Sequence, residues 1–264
     1  MMSTKTDQRL ADMVVVVVGP TGKLGPIWCK SILESGGEVV GIGINVDKDS
    51  QMLKLMAAFP EQIHIFEHNV TSELHETIRL FLSTRRVTGV VLNSGVDSVP
   101  GSGLSDITQF DFENWISILS VNVAGIANTI NQLITYLEPH SSVVFIGSIY
   151  GLVSPTPDFY SHYNSGKGSV KNPAYGASKA ALIAMCNQYS VEFATRLIRF
   201  NILTLGGVEG GQDGEFKKKF VSRVPQNRMV DAQEATGALK FLLTAESSYM
   251  TGHNLVLDGG YTKW

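Results

Sequence analysis

Tyr175 and Lys179 stand four residues apart in a stretch whose composition favours a helix. Asn172 is a good N-cap. Pro173 suits the first helical position, where its missing N–H has no partner to lose, and Ala177, Ala180, Ala181 and Ala184 follow. Residues at this spacing share a helix face, so the phenol and the ammonium project together. A phenol ordinarily titrates near ~10. An ammonium about 4 Å away is worth up to roughly 4 kcal/mol at an effective dielectric near 20, enough to draw the phenol toward neutrality. A phenol so placed can exchange a proton as a general acid or base. The same spacing also occurs as an ordinary surface pair, and the rest of the chain has to decide between the two.

Two further polar residues invite the same question. Ser148 ends the apolar run Ser142 to Gly147, which reads as a strand. There it can bond a substrate oxygen or simply form a turn. Asn122 lies in the stripe Trp115, Leu119, Asn122, Ile126, one face of a helix. A buried amide needs partners, and neighbouring backbone would serve as well as a reaction centre.

The elements that would position these groups begin with Val14 to Val18, a β-branched run of the kind buried on both faces of a parallel sheet. It leads into Gly19-Pro20-Thr21-Gly22-Lys23-Leu24-Gly25 and then an apolar helical stretch, Ile27 to Leu33. Strand, glycine turn and helix start form a context in which backbone can approach a pyrophosphate, though a plain tight turn reads the same way. A second strand, Glu38 to Ile44, ends where dinucleotide folds often carry an acid for the adenosine ribose; that place is Gly43. Lys23 could reach a 2′-phosphate and Asp47 a ribose hydroxyl, so the choice between NAD and NADP stays open, with a lean to NADP; Lys23 equally reads as a solvated surface lysine. Further strands read at Ile63 to Glu67, Thr88 to Leu92, Ser142 to Gly147, Ile198 to Thr204 and within Met250 to Leu257. Helices read at Thr71 to Ser83 and, after the capping-box-like Asp231-Ala-Gln-Glu234, through Leu243. This alternation predicts right-handed βαβ units and a parallel sheet, with ligands beyond the strands' carboxyl ends.

The whole chain sets the bounds. Its 264 residues, 44% hydrophobic and 17% charged, suit one globular domain. A net charge of −3 gives no electrostatic case for nucleic acid or an anionic membrane. Cys29 and Cys186 make no metal-ligand spacing, and reduced thiols in a cytoplasmic protein are the expectation; a bridge between them stays open. The polar stretch Met1 to Leu10 lacks the apolar centre of a secretory signal, and Met13 to Val18 is far short of the about 20 residues that span a bilayer.

In order along the chain come Gly-x-x-Gly-x-x-Gly at 19–25, Asn93-Ser94-Gly95, Val121-Asn122-Val123, Gly147-Ser148, Tyr175-x-x-x-Lys179 and Asp258-Gly259-Gly260. Over Met13 to Thr262 this resembles the short-chain dehydrogenases/reductases. The resemblance implies an α/β fold: a Rossmann-type doubly wound parallel sheet, three-layer αβα, in a single domain. It implies an alcohol–ketone oxidoreductase using NAD or NADP, in which Tyr175 exchanges the proton and Lys179 lowers the tyrosine's pKa and binds the nicotinamide ribose. By the same resemblance Ser148 steadies the substrate oxygen and Asn122 holds a water behind the lysine. The cofactor would lie along Gly19, Thr21, Gly22, Lys23, Leu24 and Gly25, with Val70 near its adenine, Asn93 and Gly95 beside it, Tyr175 and Lys179 at its nicotinamide end, and Val208 at the carboxamide. A homodimer or homotetramer is implied as well.

The departures are informative. The usual middle glycine is displaced to Gly22, with Lys23 in its place, a spacing that resembles the nucleotide-sugar-modifying branch. The usual aspartate after the third strand is Asn69, and the customary phosphate-binding threonine is Gly210. Ser148 and Tyr175 are 27 positions apart, wider than usual in the family. The surplus at 154–172 carries Phe159, Tyr160, His162, Tyr163, Asn164 and Lys167, which would suit a polar, sugar-like substrate or equally an oligomer contact. Residues 209–226 resemble a mobile lid, and the run Lys217 to Lys219 could steer an anion or be a solvated face. Two rival readings are a nucleotide-sugar epimerase or dehydratase, and a catalytically silent cofactor-binding protein.

Overall fold

The computed structural model describes residues 9–97, 108, 111–163 and 171–264. Its centre is a sheet of seven parallel strands in the order β3-β2-β1-β4-β5-β6-β7. The strands are β1 Val14–Val18, β2 Glu38–Gly43, β3 Ile63–Glu67, β4 Val87–Leu92, β5 Leu137–Ser148, β6 Arg199–Leu205 and β7 Asn254–Leu257. Around them lie α1 Gly25–Glu34, α2 Ser50–Ala58, α3 Glu76–Ser83, α4 Phe112–Leu119, α5 Ile126–Leu133, α6 Pro173–Glu192, α7 Gly214–Val221 and α8 Ala232–Leu243.

Alternate side chains of a strand point to opposite faces, and β1 shows the consequence. Val16 and Val18 pack with Ile78 and Leu82 of α3, Ile126 and Ile130 of α5 and Leu182 of α6. Val15 and Val17 pack with Trp28 and Ile32 of α1, Met52 of α2 and Leu239 of α8. Two apolar layers on one sheet make the doubly wound, three-layer single domain that was expected. Cys29 belongs to one layer and Cys186 to the other, so the sheet separates them and no disulfide can join them. A smaller third cluster joins Phe159 and Tyr160 to Phe216 and Phe220 of α7 and to Tyr261.

Several element boundaries differ from the sequence reading, each for a local reason. Helix α3 starts at Glu76, not Thr71, because Asn69 accepts from both the backbone N–H and the hydroxyl of Thr71, closing a turn that competes with helix. The stripe from Trp115 to Ile126 is not one regular helix: a wider π-helical turn, Ser120–Gly125, separates α4 from α5. β5 begins at Leu137 and runs through Ser148. Among the described residues no helix is long and apolar enough to cross a membrane.

Candidate active site

The strand order reverses between β1 and β4, and a crevice opens there at their carboxyl ends. One cleft of about 1170 Å³ runs from this crevice to Tyr175. Gly19 turns the chain out of β1 with φ of 83°, and a Cβ on it would lie 2.6 Å from the Ser94 hydroxyl. Asn93 fastens the two strand ends: its Nδ2 donates to the Gly19 carbonyl at 2.8 Å and its Oδ1 accepts from the Trp28 indole at 2.9 Å. The result is a narrow backbone cradle before α1, into which an elongated anionic ligand such as a dinucleotide fits.

Of the residues expected to bind a cofactor, Gly19, Thr21, Gly22, Lys23, Leu24, Val70, Asn93, Gly95, Tyr175, Lys179 and Val208 line the cleft. Gly25 does not. It is buried behind the turn, its N–H donating to the Gly22 carbonyl at 2.8 Å. Asp47 is likewise off the wall; Lys48 and Asp49 line that end instead, and Asp49 caps α2 by accepting from Gln51 and Met52 N–H. Lys23 reaches the wall from the other side. Its ammonium lies 2.7 Å from where a Cβ on Gly210 would be, in the segment after β6 and on the far side of β1 from β2.

Helix α6 carries the catalytic candidates. Asn172 caps it through Ala174 N–H at 2.9 Å, with Pro173 next, as the sequence predicts. Gly151 lets its first turns abut the chain leaving β5, since a Cβ there would come within 2.8 Å of the Lys179 carbonyl carbon. Tyr175 meets Ser148, whose hydroxyl hydrogen-bonds to it and favours its ionised form. Lys179 is buried and donates to the Ile146 carbonyl at 3.0 Å.

Burial works against the expected priming of the phenol. Burial pushes Tyr175 up to about 12, Asp97 adds to the rise, and the Ser148 hydrogen bond only partly opposes them. Burial also pushes Lys179 down to about 8, with Asp97 pulling the other way. Loss of water penalises both charged forms, and this outweighs their mutual attraction. The ammonium lies 5.8 Å from the centre of the phenol ring.

Asn122 does not line the cleft. Its Oδ1 accepts from Val96 N–H at 2.7 Å, and its Nδ2 donates to the Val96 carbonyl and the Ser178 hydroxyl, each at 2.9 Å. The π-helical turn aims it there, tying the chain after β4 to α6. Both amide hydrogens are therefore committed to protein partners, and the side chain positions its neighbours instead of facing the cleft.

Sequence reasoning missed Asp97, Tyr150 and Lys171, which line the cleft together with Tyr175. Lys171 is ion-paired with Asp97 and lies 5.1 Å from the centre of the Tyr175 ring. Tyr150 and Tyr160 share a hydroxyl–hydroxyl hydrogen bond of 3.1 Å. Asp97 and Tyr150 each follow the carboxyl end of a strand by a few residues, and that topological rule was the signal available. Of the surplus segment, Tyr160 and Tyr163 face the cleft, Phe159 is buried in the third cluster, and Asn164 and Lys167 lie outside the described residues. The lysine run is partly tied down: Lys217 pairs with Glu209, and Lys219 with Glu215 and Asp158. His68, also missed, is buried beside the cleft with Nε2 lacking a partner among the described residues, and burial holds it below the ordinary histidine range.

The family model described as enoyl-(acyl carrier protein) reductase matches residues 24–262. A 3-oxoacyl-[acyl-carrier-protein] reductase of Thermotoga maritima is 24% identical over 96% of this chain and 98% of its own. A ribulose-forming D-arabinitol 2-dehydrogenase of Candida tropicalis is 24% identical over 97% of this chain and 94% of its own. A short-chain dehydrogenase of Leptospira borgpetersenii, solved with bound NAD+, superposes with a TM-score of 0.81 at 20% identity, covering 99% of this chain and 97% of that one.

Proposed function

This chain belongs to the short-chain dehydrogenase/reductase family, and from that premise we propose that it interconverts an alcohol and a ketone on a polar, sugar-like substrate. The observation that carries the reading is the meeting of Tyr175, Ser148 and Lys179 at one end of a cleft whose other end is a glycine cradle. When bound there, NAD or NADP supplies or accepts the hydride. The protein's part is the proton and the geometry. Tyr175, held protonated, gives its proton to the substrate oxygen in reduction and recovers it in oxidation. Ser148 donates to that same oxygen and fixes its distance from the phenol. Lys179, buried with a proton affinity near neutrality, stabilises the phenolate that the transfer leaves. Asn122 acts through others, holding the chain after β4 against α6.

Tyr150, Tyr160 and Tyr163 wall the substrate end with hydroxyls and ring faces, which supports a polyhydroxylated substrate; the relative named for D-arabinitol is in keeping with this. In this reading the described part of the insertion, 154–163 with 171–172, borders the substrate and 209–226 is the lid, the two joined by contacts such as the Tyr163 hydroxyl donating to Asp213 at 2.5 Å. Family likeness supports a homodimer or homotetramer, which sedimentation would test. The function is tested by following NADH and NADPH absorbance with a panel of polyols and their ketones. Net cofactor turnover on a polyol supports the reading. Sugar conversion without net turnover points instead to epimerase chemistry.

A further inference from the structure

Lys23 stands where the glycine turn meets the segment after β6, and two features of its surroundings belong together. First, the Lys23 ammonium fills the space that a side chain at position 210 would take: a Cβ on Gly210 would lie 2.7 Å from Nζ and 2.9 Å from Cε. Second, Lys23 is exposed at the cleft and its ammonium makes no hydrogen bond or ion pair among the described residues, while the neighbouring chain holds it below the ordinary lysine range by partial desolvation. Glu209 favours its charge, but the Glu209 carboxylate is paired with Lys217. Beside them the Gln212 amide donates to the Val208 carbonyl at 2.9 Å, and its Oε1 is buried without a partner, 3.7 Å from the same missing Cβ. The Lys23 cation thus stands at the mouth of the glycine cradle, whereas the Gln212 oxygen, an acceptor, has nothing to offer an anion.

Direction in the sheet says which anion this corner serves. The ribose that carries the 2′-phosphate of NADP belongs at the end of β2, and β2 lies on the other side of β1 from β6. Lys23 reaches toward the β6 side, across the path of a chain of phosphates leaving the cradle. Resting on the reading of the cleft as a dinucleotide site, we propose that Lys23 and Gly210 are a matched pair that grips the cofactor's pyrophosphate. The lysine supplies the charge and the glycine supplies the room. Lys23 is then a grip common to NADH and NADPH and does not discriminate between them.

The test is calorimetric binding of NADH, NADPH and ADP-ribose to the wild type and to Lys23→Met, Lys23→Ala, Gly210→Ala and Lys23→Ala/Gly210→Ala. A hydrogen bond between charged groups is worth enough that Lys23→Met should weaken all three ligands by one common factor, roughly ten-fold or more. The loss should shrink as salt is raised. Gly210→Ala must displace the ammonium, so it should weaken binding in the wild type and cost nothing further in the Lys23→Ala background, a non-additivity that distant sites do not show. A loss confined to NADPH, or an equal cost of Gly210→Ala in both backgrounds, overturns the pairing. A wild type that binds none of the three ligands overturns the dinucleotide reading itself, and the proposal with it. Thermal unfolding of each variant separates these outcomes from misfolding, and the exposure of Lys23 makes Lys23→Met the safest reporter.

Discussion

The Lys179 ammonium lies 5.8 Å from the centre of the Tyr175 ring and donates its hydrogen bond to the Ile146 carbonyl. The two groups share a helix face, yet burial drives them apart in charge: the phenol up to about 12 and the ammonium down to about 8. The site is therefore poised with a protonated tyrosine and a lysine that titrates within reach of physiological pH.

That lysine makes stability depend on pH with a definite sign. Between about 8, its folded value, and 10.5, its ordinary one, the unfolded chain binds a proton that the folded chain has released. The cost of burying the charge is thus fully present below about 8 and disappears toward 10.5. At about 1.4 kcal/mol per pH unit this amounts to something on the order of 3 kcal/mol. Buried Cys186, pushed up to about 12, works in the opposite sense above the ordinary thiol value, so the measurement is a difference. Urea unfolding of Lys179→Met against the wild type should show an advantage at pH 7.5 that fades by pH 10. An advantage constant with pH would rule this account out.

Tyr175→Phe removes only the exchangeable proton. NADH or NADPH binding should stay within a few-fold of wild type while turnover falls by roughly 10²–10⁴. A variant with near-normal turnover on a true substrate would place the proton exchange elsewhere.

Asp97 raises the proton affinity of both Tyr175 and Lys179. Asp97→Asn should therefore move the limbs of the pH–rate profile that belong to these groups toward lower pH. A shift toward higher pH, or none, would show that the Asp97 charge is not felt at the phenol.

Asn122→Ala strips partners from the Val96 N–H, the Val96 carbonyl and the Ser178 hydroxyl. Leaving such groups buried and unpaired should cost at least about 2 kcal/mol of stability. Because Asn122 acts by position, kcat should fall with the pH profile unchanged in shape. A displaced profile would instead implicate it in the proton path.

Gly19→Ala puts a β-carbon on a residue with φ of 83° and 2.6 Å from the Ser94 hydroxyl. The backbone strain alone is worth roughly 1–2 kcal/mol. Dinucleotide affinity measured by calorimetry should fall with stability, since the cradle must open to relieve the contact.

Most of the fold was legible because its causes are local. The β-branched run at Val14–Val18, the Asn172–Pro173 cap and the alternation of strand and helix patterns each act over a few residues, and together they leave a parallel sheet as the consistent outcome. Tyr175, Lys179 and Ser148 were legible for the same reason: helix spacing and strand ends specify where such side chains project. What the sequence did not reveal depends on non-local geometry. The charge states of Tyr175 and Lys179 follow from how much water the whole fold excludes. Asp97 and Lys171 join across a sequence gap that no periodicity signals. The reach of Lys23 to Gly210 depends on which side of β1 each later strand is laid down, and only the tertiary structure decides that, because strand order is fixed by the packing of both sheet faces at once.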